Sequence, residues 1–324
     1  MKSWNLRSIC RAAAAFAVVC TAGAAHAAWP ERPIRLIVPY PAGGLTDVVT
    51  RTIGDEVGRI LGQPLVIENR AGAGGKIGLD AVKRADKDGY TNGLVVPATM
   101  VSLPLVDKNF GLTIQDFDPI TIAIETYSVL VVNPASKITK LSEFVEHAKR
   151  NPGKLNYGTP GAGTTFHFNT VNMERMLGIQ ATHVPYKGEG PVLNDLAGGQ
   201  IDFMIATNSA KAYIDSGRLV ALAVGAAQRV PVLPNVPTFR ELGIDFTTDG
   251  WVGYVAPAGL PADVLQKLNG AFVQALKTPA IQAKFRDMGY NVVANSPQDF
   301  RKLVEQRSQR YADLIRSGAV KIEN

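Results

Sequence analysis

The chain has 324 residues, 46% of them hydrophobic and 19% charged, with a formal net charge of +6 at pH 7. That length suits two ordinary domains with a sizeable core, and the balance excludes a disordered or fibrous chain. The two cysteines, Cys10 and Cys20, both lie near the N-terminus, which excludes a disulfide framework, a zinc ribbon or a cysteine nucleophile in the rest of the chain. The 34 basic residues form no Lys/Arg block and have no interleaved aromatics, which argues against a nucleic-acid partner.

The first element is a targeting segment. Lys2, Arg7 and Arg11 form a positive stretch, Ala12 to Ala25 is mostly apolar and small, and Ala25-His26-Ala27 fits a small-x-small cleavage site. The apolar run is shorter than the roughly 20 residues of a membrane-spanning helix. Residues 1–27 are therefore expected to be a cleaved signal peptide; a retained N-terminal anchor is the competing reading. Cleavage after Ala27 leaves 297 of the 324 residues and no cysteine, and lowers the formal charge to +3.

After this segment, strands alternate with helices. Ile34 to Val38 is a short apolar run stopped by Pro39, as expected of a buried strand. From Thr46 to Leu61, Val49, Ile53, Val57 and Ile60 share one helical face. Strands follow at Leu65–Ile67, Leu94–Val96, Ile120–Ile124 and Val129–Val132, then a helix from Leu141 to Arg150. A strand at Leu155–Tyr157 leads into a glycine-rich turn and a helix from Thr164 to Leu177. Further strands are expected at Thr182–Val184, Ile201–Ile205, Leu219–Val224 and Val252–Ala256. The tail is helical, with Val264, Leu268, Ala271 and Ala275 on one face and a last amphipathic helix from Pro297. This alternation predicts α/β sheets with parallel strands. It fits two lobes with the chain crossing near 125–130 and 247–252: lobe 1 from 28–126 plus 250–324, and lobe 2 from 127–249.

Enzyme signatures are absent from the sequence. Neither Gly158-Thr159-Pro160-Gly161-Ala162-Gly163-Thr164 nor Gly74-Gly75-Lys76-Ile77 completes a Walker A loop, and there is no G-x-S-x-G or H-E-x-x-H. Past the leader the histidines are His147, His167 and His183, too few for a histidine-rich metal site; no metal or cofactor is expected.

Two glycine-rich loops remain, Tyr40 to Asp47 and Gly158 to Thr165, and each follows a strand and opens a helix. A helix start offers free backbone N–H groups and the positive end of the dipole, and glycine allows close approach. Such a loop holds a carboxylate as readily as a phosphate. Either loop alone also reads as a tight strand–helix connection. Two matched loops on different lobes point to a cleft in which both grip one small ligand. Asp47 is either a capping residue or an acceptor for a ligand hydroxyl, amine or bridging water. His167 is either packed and capping or a ligand donor. Thr159, Thr164 and Thr165 either cap the helix or offer hydroxyls. Glu68 to Gly75 reads as a structural turn before a helix.

At these residues the sequence resembles the periplasmic substrate-binding proteins of tripartite tricarboxylate transporters, the TctC or Bug family. The carrying segments are Trp29 to Ile34, Val38 to Gly44 with Asp47, Glu68 to Gly75, Asp88 to Thr91, Pro152 to Gly158, His183 to Gly188 and Pro234 to Thr238. The resemblance covers nearly all of the chain after the leader. It implies a two-lobed type II periplasmic-binding-protein fold that closes over a small carboxylate like a hinge. It selects Tyr40, Ala42, Gly43, Gly44, Asp47 and Thr99 on lobe 1, and Thr159, Gly161, Ala162, Gly163, Thr164, Thr165, His167 and Thr207 on lobe 2. It also implies a periplasmic, monomeric binder with permease subunits as partners. An orphan sensor, or an enzyme using Asp47 and His167 as acid and base, are the alternatives.

The sequence departs from the family at three places. Ala206 stands where an acid commonly follows the Ile201–Met204 strand, which implies a ligand without an amine or hydroxyl at that point. Leu45 replaces a small residue and is expected to narrow or dry the pocket. Lys76 replaces an uncharged polar residue.

Overall fold

The computed structural model describes residues 29–186, 188–248 and 250–320. The expected signal peptide lies outside them. The strands are β1 (Ile34–Val38), β2 (Leu65–Asn69), β3 (Thr91–Val95), β4 (Phe117–Glu125), β5 (Val129–Val132), β6 (Asn156–Thr159), β7 (Thr182–Pro185), β8 (Phe203–Ala206), β9 (Val220–Val224), β10 (Trp251–Pro257) and β11 (Asn291–Val292). The longer helices are α1 (Leu45–Leu61), α2 (Lys76–Lys83), α3 (Leu141–Arg150), α4 (Thr165–Leu177), α5 (Glu189–Ala197), α6 (Ala262–Leu276), α7 (Pro279–Asp287) and α8 (Pro297–Arg316).

The strands form two sheets, and each is the floor of one lobe. The first has the order β11-β4-β10-β3-β1-β2 and the second β7-β6-β8-β5-β9. Both are covered on two faces, which is why their strands read as continuous apolar runs. In β1, Leu36 and Val38 pack with Val49, Ile53 and Val57 of α1 and with Leu268 and Phe272 of α6. The intervening Ile37 faces Leu79 and Val82 of α2 and Phe300 and Val304 of α8. The same period of two divides β5: Leu130 and Val132 join one cluster, Val129 and Val131 the other.

The expectation of parallel sheets holds only in part. β1, β2 and β3 are mutually parallel, as are β6, β7 and β8. However, β10 is antiparallel to β3 and β4, and β5 is antiparallel to β8 and β9. The cause is the crossing of the chain. Val129 starts β5 opposite Ala206, the end of β8, and Trp251 starts β10 opposite Glu125, the end of β4. A strand that arrives from the other lobe enters its new sheet at the edge where the parallel strands end. It must therefore run the opposite way.

The crossing segments lie against each other: the Thr126 N–H donates to the Gly250 carbonyl at 2.9 Å. A Cβ on Gly250 would collide with the Thr126 hydroxyl, so the close approach requires glycine. A second tie is apolar. Helix α4 belongs to the second sheet through Met173 and Leu177, yet Phe168 and Val171 are buried in the first lobe's cluster. The Phe168 ring stacks on Tyr311 of α8 at 4.2 Å between centroids.

Candidate functional site

By general rule, ligands of α/β sheets bind beyond the carboxyl ends of the parallel strands. Here those ends carry both glycine loops. Loop one connects β1 to α1, and Gly44 is the N-cap residue. Asp47, three residues into the helical segment, turns back so that its Oδ2 accepts the Gly43 N–H at 2.9 Å. Its two oxygens also accept from Nε of Arg51, at 2.9 and 3.0 Å. Asn69, the last residue of β2, donates to Asp47 at 3.0 Å and to the Tyr40 carbonyl at 3.1 Å, and accepts from Arg51 at 3.1 Å. The Arg51 hydrogen bond, helped by those from Gly43 and Asn69, holds the Asp47 carboxyl at about 2 although burial opposes it. Gly43 has φ +81°, a conformation open to glycine. No described hydrogen bond uses the N–H of Gly44, Leu45 or Thr46. These are the orphan donors of the helix start. Ala42, Gly43 and Gly44 are exposed.

Loop two connects β6 to α4 and repeats the device. His167 Nδ1 accepts the Gly163 N–H at 3.1 Å, so its ring proton is assigned to Nε2. Thr164 is the N-cap: its hydroxyl oxygen accepts the His167 N–H at 3.4 Å and donates to the Gly161 carbonyl at 2.7 Å. The Thr159 hydroxyl lies 2.9 Å from the Gly161 carbonyl and 2.7 Å from Nε2 of His183. His183 in turn stacks on His167, with centroids 3.9 Å apart, and on Tyr157 at 5.0 Å. Burial, and secondarily His183, lowers His167 to about 4; burial also lowers His183. The His167 ring is neutral at pH 7. The N–H groups of Ala162, Thr165 and Phe166 take no part in the described hydrogen bonds, nor does the Thr165 hydroxyl.

The remaining sequence-selected residues separate into roles. Tyr40 and Thr99 converge at Gly75, where a Cβ would lie 3.0 Å from Thr99 Cγ2 and 3.4 Å from the Tyr40 hydroxyl. Burial pushes the Tyr40 hydroxyl up to about 12, so it stays protonated. Thr99 is fully buried, and its hydroxyl bonds the main chain of Val96. Thr207 directs both its N–H and its hydroxyl to Glu189, at 2.7 and 2.9 Å. Leu45 is 41% exposed at the start of α1. Lys76 donates to the Phe110 carbonyl and pairs with Asp80 at 3.4 Å.

Among the described residues, no hydrogen bond or ion pair joins loop one to loop two. Besides the Phe168–Tyr311 stack, the lobes meet where Asn208 donates to the Tyr290 hydroxyl at 3.2 Å and Arg307 to the Thr247 hydroxyl at 3.4 Å, and where a Cβ on Gly163 would touch Val106. Sequence reasoning passed over Arg51, Asn69, His183 and Glu189. Asn69 and His183 both stand inside the motif segments. They bear on the loops only through strand neighbours: β2 ends beside β1, and β7 beside β6.

Residues 49–319 match the family model described as tripartite tricarboxylate transporter family receptor. The chain is 34% identical to the protein BugT of Bordetella pertussis, over 91% of this chain and 92% of that one. It superposes on the Rhodopseudomonas palustris protein Rpa4515, solved with adipate, with a TM-score of 0.72 and 31% identity, covering 90% of this chain and 99% of that one. MatC (Rpa3494) of the same organism, solved with bound malate, gives 0.68 and 31%, covering 89% and 100%. The fold and both loops thus define a two-lobed periplasmic binding protein. The chain belongs to the tripartite tricarboxylate transporter receptor (TctC/Bug) family of solute-binding proteins. Among the described residues, no helix is long and apolar enough to cross a membrane.

Proposed function

We propose that this protein captures one small organic carboxylate between loops one and two and delivers it to a membrane permease of the tripartite tricarboxylate type. The carrying observation is the matched pair of helix starts. In each, one loop amide is held by a side chain four residues on, while neighbouring amides have no hydrogen-bond partner among the described residues. A carboxylate fits such donors. The adipate and malate of the two solved relatives are of that class.

The amides of Gly44, Leu45 and Thr46 would hold the ligand from lobe 1, and those of Ala162, Thr165 and Phe166 from lobe 2. Closure would pivot where Thr126 meets Gly250, so we take 28–126 with 250–324 as lobe 1 and 127–249 as lobe 2. The protein acts as a monomer in the periplasm after removal of residues 1–27. We assign it no catalytic step: Asp47 and His167, the acid–base pair an enzyme would need, each brace their own loop.

A thermal-shift screen of the mature protein against mono-, di- and tricarboxylates, aromatic carboxylates and amino acids tests this. A ligand at a hundred times its Kd stabilises the folded form by about 2.7 kcal/mol. A clear rise in Tm with one carboxylate set, and recovery of that ligand unchanged, supports the reading. Cooperative melting with no shift in any carboxylate overturns it.

A further inference from the structure

Resting on the carboxylate-binding reading, we propose that Glu189 is the acid of the cleft and selects ligands that carry a hydroxyl or ammonium donor beside their carboxylate. Glu189 opens α5 directly after β7. That places it at the sheet edge that also carries loop two and the turn after β8. Its Oε1 accepts the Thr207 N–H at 2.7 Å, and the Thr207 hydroxyl lies 2.9 Å from Oε2. The backbone just before it is tied to loop two, since the Gly188 N–H donates to the Pro160 carbonyl at 3.2 Å. The residue after Thr207 is tied to lobe 1 through Asn208 and Tyr290. Glu189 therefore stands between the ligand loop and the interlobe contact.

Two consequences follow from its chemistry. First, Thr207 loses its two donors to Glu189. An edge that would otherwise offer hydrogen-bond donors to a ligand anion presents acceptors. Second, an ionised carboxylate has about four lone-pair sites, and Thr207 fills two. Among the described residues, no Lys, Arg or His pairs with Glu189, and it is half-buried. A second ligand carboxylate is disfavoured there by like charge, and an O–H or N–H donor is favoured. Ala206 is fully buried among apolar residues and offers this edge no polar group, so the acid nearest to it comes from α5. This reverses the expectation that Ala206 alone gives.

Isothermal titration of the mature protein with succinate, L-malate and L-aspartate tests the proposal, with glutarate, 2-hydroxyglutarate and glutamate as the five-carbon set. The wild type is expected to prefer a donor-bearing member over its plain parent by at least about tenfold. Glu189→Gln keeps an oxygen acceptor for Thr207 and removes the charge. It should cut that preference at least about fivefold while leaving the plain dicarboxylate equal or tighter, with aspartate losing more than malate if the ammonium is the partner. Thr207→Val removes the hydroxyl clip but not the charge, and should retain the preference. Unchanged ligand ratios in Glu189→Gln, or loss of the preference in Thr207→Val alone, overturn the role of Glu189 while leaving carboxylate binding intact. Failure of the wild type to bind any carboxylate overturns the underlying reading, and this inference with it.

Discussion

Loop one and loop two solve the same problem with different chemistry. Each opens a helix, and each pins one glycine amide to a side chain four residues later, Gly43 to Asp47 and Gly163 to His167. Loop one uses an ionised carboxylate held by Arg51 and Asn69, all within lobe 1. Loop two uses a neutral imidazole stacked on His183. Its helix reaches across to the other lobe through Phe168. Rigid amides are thus obtained by charge pairing on one side and by packing on the other. The second is packed into the core of the other lobe.

The largest effect that would break this pairing is on the backbone. Gly43→Pro and Gly161→Pro place a ring that needs φ near −65° at φ +81° and +154°, respectively. Each should reduce ligand affinity by about a hundredfold or more, the loss expected when a positioned loop is misplaced. The fold should persist by circular dichroism. Retained affinity in both variants would remove the two-loop grip.

Phe168→Ala separates the loops next. Phe168 is fully buried against Tyr311, so its loss should cost about 3–5 kcal/mol by denaturant unfolding. A value under about 1 kcal/mol would show that α4 is not anchored to lobe 1.

Acid should also divide the loops. The folded pKa of His167 is about 4, below its ordinary value of 6.5. The unfolded chain binds the extra proton first, so the stability from this group is full above about 6.5 and is lost as pH falls to 4. Its loss is at most about 3 kcal/mol. Asp47, lowered to about 2, contributes above about 4 and loses that contribution between 4 and 2. Stability of wild type and His167→Gln measured from pH 7.5 to 2 checks the order. Identical curves would assign the acid loss elsewhere.

The smallest contrast lies between neighbouring threonines. Thr164→Val removes the N-cap and should cost about 1 kcal/mol of stability. Thr165→Val should leave stability within about 0.5 kcal/mol and weaken ligand binding only a few-fold, because its hydroxyl has no described protein partner. A stability loss at Thr165 equal to that at Thr164 would make it a structural residue.

Much of this architecture was legible in the residues. β1, β5 and α3 fall where periodicity puts them, and the predicted face Val264, Leu268, Ala271 and Ala275 of α6 is buried throughout. β3 was legible only in its second half. Its first three residues, Thr91-Asn92-Gly93, carry no apolar signal, yet all are buried. Gly93 is needed because a Cβ there would strike Val82 of α2, and the Asn92 side chain donates to the Gly89 carbonyl. Helix α5 was hidden because Gly190 and Pro191 stand in its first turn. Proline is tolerated there because those amides lack an intrahelical acceptor.

The sequence by itself determined the two glycine loops, the helices they open, and the family, because these depend on local backbone freedom and on ordered motifs. Only the tertiary structure decided that β5 and β10 run antiparallel, since strand direction is set by where a crossing chain enters a sheet. It also decided which side chains brace the loops. Asn69 reaches Asp47 from 22 residues away and His183 reaches Thr159 from 24. Contacts made across neighbouring strands leave no periodic trace in one chain, because they are fixed by sheet order rather than by spacing along the sequence.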